Sequence, residues 1–195
     1  MASDNVYELP KDLPVPLDDG AADHLRGAII PRLALPATSG ELIQLDVLAR
    51  ASAVLFFYPR TGEKGKSVAP EWDLIPGARG CTPQSCGFRD LYADFRALGL
   101  TVAGVSTQTT DYQREFVERN HVPFDLLSDA GLQLTTGLRL PTFEFPVASG
   151  GPTTLIKRMA WFLQDGRIAS VWYPVFPPDK NAETVLAWMR SRNQV

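Results

Sequence analysis

Cys81 and Cys86 are the only two cysteines in this 195-residue chain, and both fall in one short run, PGARGCTPQSCGFRD, residues 76–90. Paired cysteines support three chemistries: a structural disulfide, part of a metal site, or a reactive thiol pair. The residues around them discriminate. TPQSCGFRDLYADFRALG, residues 82–99, has the pattern of a helix: Thr82 suits the N-cap, Pro83 the first helical position and Gly99 the C-terminal stop. Phe88, Leu91, Phe95 and Leu98 recur at spacings of three and four and predict its buried stripe, with Gly87 as a weak point inside it. Cys81 then stands just ahead of a helix N-terminus, where unpaired backbone N–H groups and the positive end of the dipole favour a thiolate. Arg79 and Arg89 are local guanidinium groups that would add to this, and Arg158 is a distant one. Cys81 is placed to be a nucleophile.

Cys86 lies five residues further along the same helix, roughly 140° around its axis and about 7.5 Å along it. A disulfide needs Cα atoms about 4.4–6.8 Å apart with converging side chains. An intact helix does not allow that bond, so the first turn or two must unwind to close it. A static structural bridge fits poorly; a bond that forms during a cycle and reopens fits well. Structural zinc wants four ligands, usually as close pairs, and the chain offers only these cysteines with His24 and His121 far off in sequence. A metal site is therefore not expected.

Composition sets the frame for that pair. The chain is 45% hydrophobic and 21% charged with a formal net charge of -3, which suits one domain with a sizeable core and gives no electrostatic reason to expect nucleic acid. No stretch is long and apolar enough for a membrane span. The start, MASDNVYELPKDLPVPLDDG, has prolines and acids where a signal peptide needs a basic start and an apolar run. A cytoplasmic protein is expected, where paired cysteines more often do redox work than form stable bridges.

The elements that must position the cysteines follow from the pattern. Residues 1–26 read as an N-terminal arm and 27–195 as one domain. AVLFFYP, 53–59, is an apolar run suited to a buried central strand. A polar segment of about twenty residues follows, RTGEKGKSVAPEWDLIPGARG, and a loop that long is usually functional or mobile. After the cysteine helix come a strand at LTVAGVS, a helix at TTDYQREFVERNHV and a short strand at FDLLSD. A hairpin then turns at Asp165-Gly166, and NAETVLAWMRSR closes the chain as a helix. This order predicts an α/β fold of thioredoxin-like type, a mixed central β-sheet flanked by helices.

GCTPQSC after a strand ending FFYP, leading into GFRDLYADFRALGLTVAGVS, resembles a peroxiredoxin. Within that family it is similar to the bacterioferritin-comigratory-protein, or peroxiredoxin Q, type, in which two cysteines lie five apart on one helix. The similarity extends through FDLLSD and KRMAWFLQDGRIASVWYPV and covers about residues 27–192. The resemblance implies thiol-dependent reduction of hydrogen peroxide or organic hydroperoxides, with no metal or organic cofactor. Cys81 would be the peroxidatic cysteine, and Cys86 the resolving one that condenses with its sulfenic acid. A thioredoxin or similar thiol reductant would reopen the disulfide. Arg158 falls where the family has an arginine against the peroxidatic sulfur and the peroxide. A monomer or a homodimer is compatible with the resemblance.

One departure stands out. Three residues before the peroxidatic cysteine the family usually carries a threonine or serine whose hydroxyl orients the peroxide; here that residue is Ala78. Pro59 corresponds to the family's proline, with a long insertion between it and Cys81, unless Pro76 plays a similar local role. Thr61, Ser67 or Thr82 could supply the hydroxyl. The insertion at 60–75 reads equally as a lid, a partner surface or a solvated loop. The segment 141–155 is insertion-like with no readable role. Tyr58, Trp72, Phe88 and Trp161 could line a pocket near the active site but read more readily as core, and His121 reads as part of a solvated helix end. Two rival functions remain: a redox sensor of the same fold without peroxidase turnover, and a protein thiol–disulfide oxidoreductase, which would expect C-x-x-C.

Overall fold

A run that is apolar at every position needs cover on both faces, and Ala53–Phe57 is such a run. In a computed structural model that describes residues 7–62, 69–146 and 151–192, it forms strand β3 at the centre of the sheet. Ahead of it lie a small hairpin, β1 (Ala34–Pro36) with β2 (Leu42–Gln44), and helix α1 (Leu45–Arg50). After it come α2 (Cys81–Asp90), α3 (Tyr92–Ala97), β4 (Thr101–Ser106), α4 (Thr110–Asn120), β5 (Leu126–Ser128) and α5 (Gln133–Gly137). A second small hairpin, β6 (Thr142–Glu144) with β7 (Thr154–Ile156), precedes β8 (Met159–Gln164), β9 (Arg167–Trp172) and α6 (Asn181–Arg192). The main sheet has the order β5-β4-β3-β8-β9. Its first three strands are parallel and the β8–β9 hairpin joins antiparallel. This is the expected mixed sheet flanked by helices.

The alternation of β3 divides the core. Ala53, Leu55 and Phe57 face one layer with Leu45, Ala49, Val105 and Trp161. Val54, Phe56 and Tyr58 face the other, where Phe88, Phe95, Phe116, Val185 and Leu186 come in from α2, α3, α4 and α6. Phe56 stacks on Phe88, ring centroids 4.3 Å apart at 8°, so the central strand grips the cysteine helix directly. Gly104, opposite Phe56 in β4, makes room: a Cβ there would sit 2.7 Å from Phe56 Cζ and 2.6 Å from Leu126 Cδ2.

Several expectations shift in detail. The helix begins at Cys81, one residue before the predicted cap, because Gly80 takes the N-cap position in a left-handed conformation (φ 105°). Pro178 and Leu9 press on Gly80 so closely that a Cβ would meet them at 2.3 and 2.9 Å, so tertiary packing selects the cap. Thr82 lies inside the first turn. The predicted single helix breaks at Leu91 into α2 and α3, yet Phe88 and Phe95 are fully buried, and Leu91 and Leu98 pack against the same cluster. The Asp165-Gly166 turn joins β8 and β9 with both residues at positive φ, 53° and 77°, as a two-residue hairpin loop requires. The 60–80 segment contains a 3-10 turn, Pro70–Leu74, and 141–155 holds the β6–β7 hairpin. Neither has a signal in its own periodicity.

The arm at the N-terminus is laid along the body. Ala22 and Leu25 reach the core. Asp19 accepts hydrogen bonds from Lys157 Nζ and Tyr173 Oη, both at 2.7 Å.

Candidate active site

Cys81 is the first residue of α2 and is 4% exposed. Its sulfur contacts come from two directions. The thiol lies 3.7 Å from the Ala78 carbonyl, to which it donates. Arg158 Nη2 donates to Cys81 Sγ at 3.2 Å. Arg158, between β7 and β8, is 3% exposed. Its remaining N–H groups hold the approach to the helix: Nε donates to Gly77 O at 3.3 Å, and Nη2 to Ala78 O at 3.0 Å and Arg79 O at 3.2 Å. Nη1 donates to Gln84 Oε1. No carboxylate pairs with Arg158 among the described residues. A buried guanidinium without a counter-charge is costly, and the Cys81 sulfur is the group placed to carry that charge. The planar fork suits this task, since one cation both orients the loop and faces the sulfur.

Gln84 extends the frame. Its Nε2 donates to Asn181 Oδ1 at 2.9 Å, joining α2 to the start of α6. Of the three guanidinium groups considered from sequence, the distant one donates to the sulfur. Arg79 pairs with Asp73 at 3.2 Å. Arg89 pairs with Asp90 and lies at the Cys86 end, donating also to Asn120 O at 2.9 Å.

The open side of Cys81 is a small cleft walled by Arg60, Thr61, Trp72, Arg79 and Thr82. Thr61 is 1% exposed and firmly held. Its backbone N–H and its hydroxyl both donate to Gln108 Oε1, at 2.9 and 3.2 Å, while Gln108 Nε2 and Tyr112 Oη donate to its carbonyl at 3.2 and 2.9 Å. With its proton committed to Gln108, the Thr61 oxygen keeps lone pairs for a donor in the cleft. Thr82 lines the same cleft; Ser67 lies outside the described residues. At Ala78 the backbone carbonyl, not a side chain, meets the sulfur and Arg158. Gln84 and Gln108 were not singled out from sequence, because a glutamine three residues past a cysteine, or after a strand, has no distinctive pattern.

Cys86 sits in a different setting. It is half-buried, α2 is intact from Cys81 to Asp90, and both thiols are free. Burial pushes the Cys86 thiol up, with Arg89 opposing and Asp90 reinforcing the shift. Just beyond it, Gly87 packs on the chain before α6, where a Cβ would come 3.2 Å from Asp179 O. Tyr58, Phe88 and Trp161 are core, and His121 is the exposed left-handed C-cap of α4. His24 bonds to Leu138 O at 2.9 Å. Among the described residues no three His, Cys, Asp or Glu side chains gather as a metal site, and no helix is long and apolar enough to cross a membrane.

In comparison with known proteins, residues 25–186 match the family described as Redoxin. A Coxiella burnetii protein assigned as peroxiredoxin bcp is 33% identical over 82% of this chain and 95% of its own length. A chloroplastic peroxiredoxin Q of Gentiana triflora is 26% identical over 93% of this chain and 76% of that one. Among solved structures, peroxidoxin BcpB of Mycobacterium tuberculosis superposes with a TM-score of 0.66 at 27% identity, covering 85% of this chain and 96% of that one.

Proposed function

The chain belongs to the redoxin family as a peroxiredoxin of the Q or bcp type, a thiol peroxidase, and we propose that Cys81 is its peroxidatic residue, Cys86 its resolving residue and Arg158 its catalytic cation. The observation that carries this reading is the buried Arg158 guanidinium 3.2 Å from Cys81 Sγ.

The Cys81 thiolate attacks one peroxide oxygen and the O–O bond breaks. Its electron pair leaves on the distal oxygen, which takes a proton and departs as water or an alcohol. Arg158 is placed to stabilise the charge that develops there as well as the charge that started on sulfur. The Thr61 oxygen can accept from the peroxide O–H and fix its angle of approach. Cys81 is left as a sulfenic acid. Once the first turns of α2 unwind, the Cys86 thiol attacks that sulfur, water leaves, and an intramolecular disulfide forms. Two electrons from an external dithiol, of thioredoxin or a similar reductant, restore both thiols. That step requires a reducing compartment, for which we take the cytoplasm, with the protein working as a monomer or homodimer. We take residues 27–195 as the catalytic domain and 1–26 as its arm.

Peroxide consumption with a thioredoxin system, followed by intact mass, tests the assignment. Cys81→Ser should abolish reaction with peroxide. Cys86→Ser should react once and stall as a sulfenic acid trapped by dimedone. A wild-type protein that closes the Cys81–Cys86 disulfide slowly and does not turn over would instead be a redox sensor.

A further inference from the structure

Described residues of the two stretches that looked like insertions pack on each other beside the Cys81 cleft. Trp72, on the Pro70–Leu74 turn, is 4% exposed. It meets Phe145 edge-to-face, centroids 5.0 Å apart at 88°, and Phe143 at 6.1 Å. Arg60 lies between the two rings, its Cζ 4.8 Å from the Trp72 centroid and 4.9 Å from that of Phe145. Such cation–π contacts help to hold the guanidinium in place. Trp72, Phe145, Leu155 and Ala78 form a core of their own, separate from the two main layers. Next to Trp72, Asp73 takes Arg79, which is 7% exposed. A turn from 69–80 and a hairpin from 141–156 thus make a cross-braced roof.

Beside this roof the cleft has a volume of about 30 Å³. A single water needs about 10–15 Å³ of such space, so the walled part of the cleft suits a molecule of two oxygens and is too small to enclose an aryl or long alkyl group. Two of its walls are Trp72, which belongs to the roof, and Arg60, which is held between the Trp72 and Phe145 rings. Resting on the peroxidase reading above, we propose that this roof is a size filter: the substrate is hydrogen peroxide or a hydroperoxide of comparable size, and Trp72 is the residue that excludes bulky organic hydroperoxides.

The test compares second-order rates of Cys81 oxidation by hydrogen peroxide and by cumene hydroperoxide in the full-length protein. Wild type should favour hydrogen peroxide by about a hundredfold or more. Trp72→Ala should shrink that ratio at least about tenfold, chiefly by raising the cumene hydroperoxide rate, a size effect of the kind hydrophobic pockets show. Phe145→Ala removes the brace without touching the cleft lining and should shift the ratio in the same direction. Trp72→Phe keeps a ring and should give an intermediate value. Circular dichroism and melting curves check that each variant folds. Equal wild-type rates with both peroxides overturn the filter and leave the peroxidase reading intact. So does an unmoved ratio in the folded variants. If neither peroxide oxidises Cys81, the peroxidase reading itself falls, and the filter with it.

Discussion

Cys81 and Cys86 share one ten-residue helix, yet almost everything around them differs. The first turn is buried, anchored by Arg158 and Gln84, and faces a cleft lined by side chains that are fixed in place. The second half carries a half-buried thiol that burial pushes up, followed by a glycine resting on the backbone before α6. At one end a buried guanidinium faces the sulfur within a hydrogen-bonded frame; at the other, burial favours the neutral thiol. The difference lies in what surrounds two identical side chains: Arg158 and the Ala78 carbonyl meet the Cys81 sulfur directly, whereas at Cys86 burial outweighs the nearby Arg89.

Removing the cation should strain this contrast most. Arg158→Met is expected to slow Cys81 oxidation by about 10²–10³-fold, the usual cost of losing a transition-state donor, while leaving iodoacetamide labelling of Cys86 unchanged in rate. Arg158→Lys should recover little, because an ammonium cannot span Gly77, Ala78, Gln84 and the sulfur together. Single-turnover kinetics on both variants would show it, and a loss of equal size at both cysteines would break the asymmetry.

Thr61→Val should cost less, about tenfold in the rate of Cys81 oxidation, since one positioning hydroxyl of the kind met in acid–base sites is lost while the sulfur and Arg158 stay put. A variant with unaltered rate would return the role to Thr82. The smallest effect is a pH midpoint. In Cys81→Ser, alkylation of Cys86 should titrate above the range of a free thiol, because desolvation disfavours the thiolate. The raised value means a lower thiolate fraction at any given pH. A midpoint at or below the free-thiol value would place Cys86 in water and erase the contrast.

How much of this was legible beforehand depended on whether the information was local. The β3 run, the stripe Phe88-Leu91-Phe95-Leu98 and the Asp165-Gly166 turn are local patterns, and each appears where its spacing placed it. The helix start was two residues off, at Cys81 and not Pro83, because Pro178 and Leu9, remote in sequence, shape Gly80. Arg158 could be tied to Cys81 only through a family resemblance, for nothing in its own neighbourhood distinguishes it from Lys157. The β6–β7 hairpin escaped notice altogether. Its three-residue strands are too short to show a period, and its aromatic residues acquire meaning only against Trp72, some seventy positions earlier.

Gly104 carries a consequence for anyone who diversifies this protein by random mutagenesis. It sits on the second strand of the sheet and never meets substrate, yet any side chain there must displace the Phe56 ring or Leu126. Phe56 is stacked on Phe88, which rides on the same helix as the nucleophile. A methyl group added at this site is therefore relayed through two stacked rings to the helix that carries Cys81, a route that libraries designed around the cleft alone will overlook.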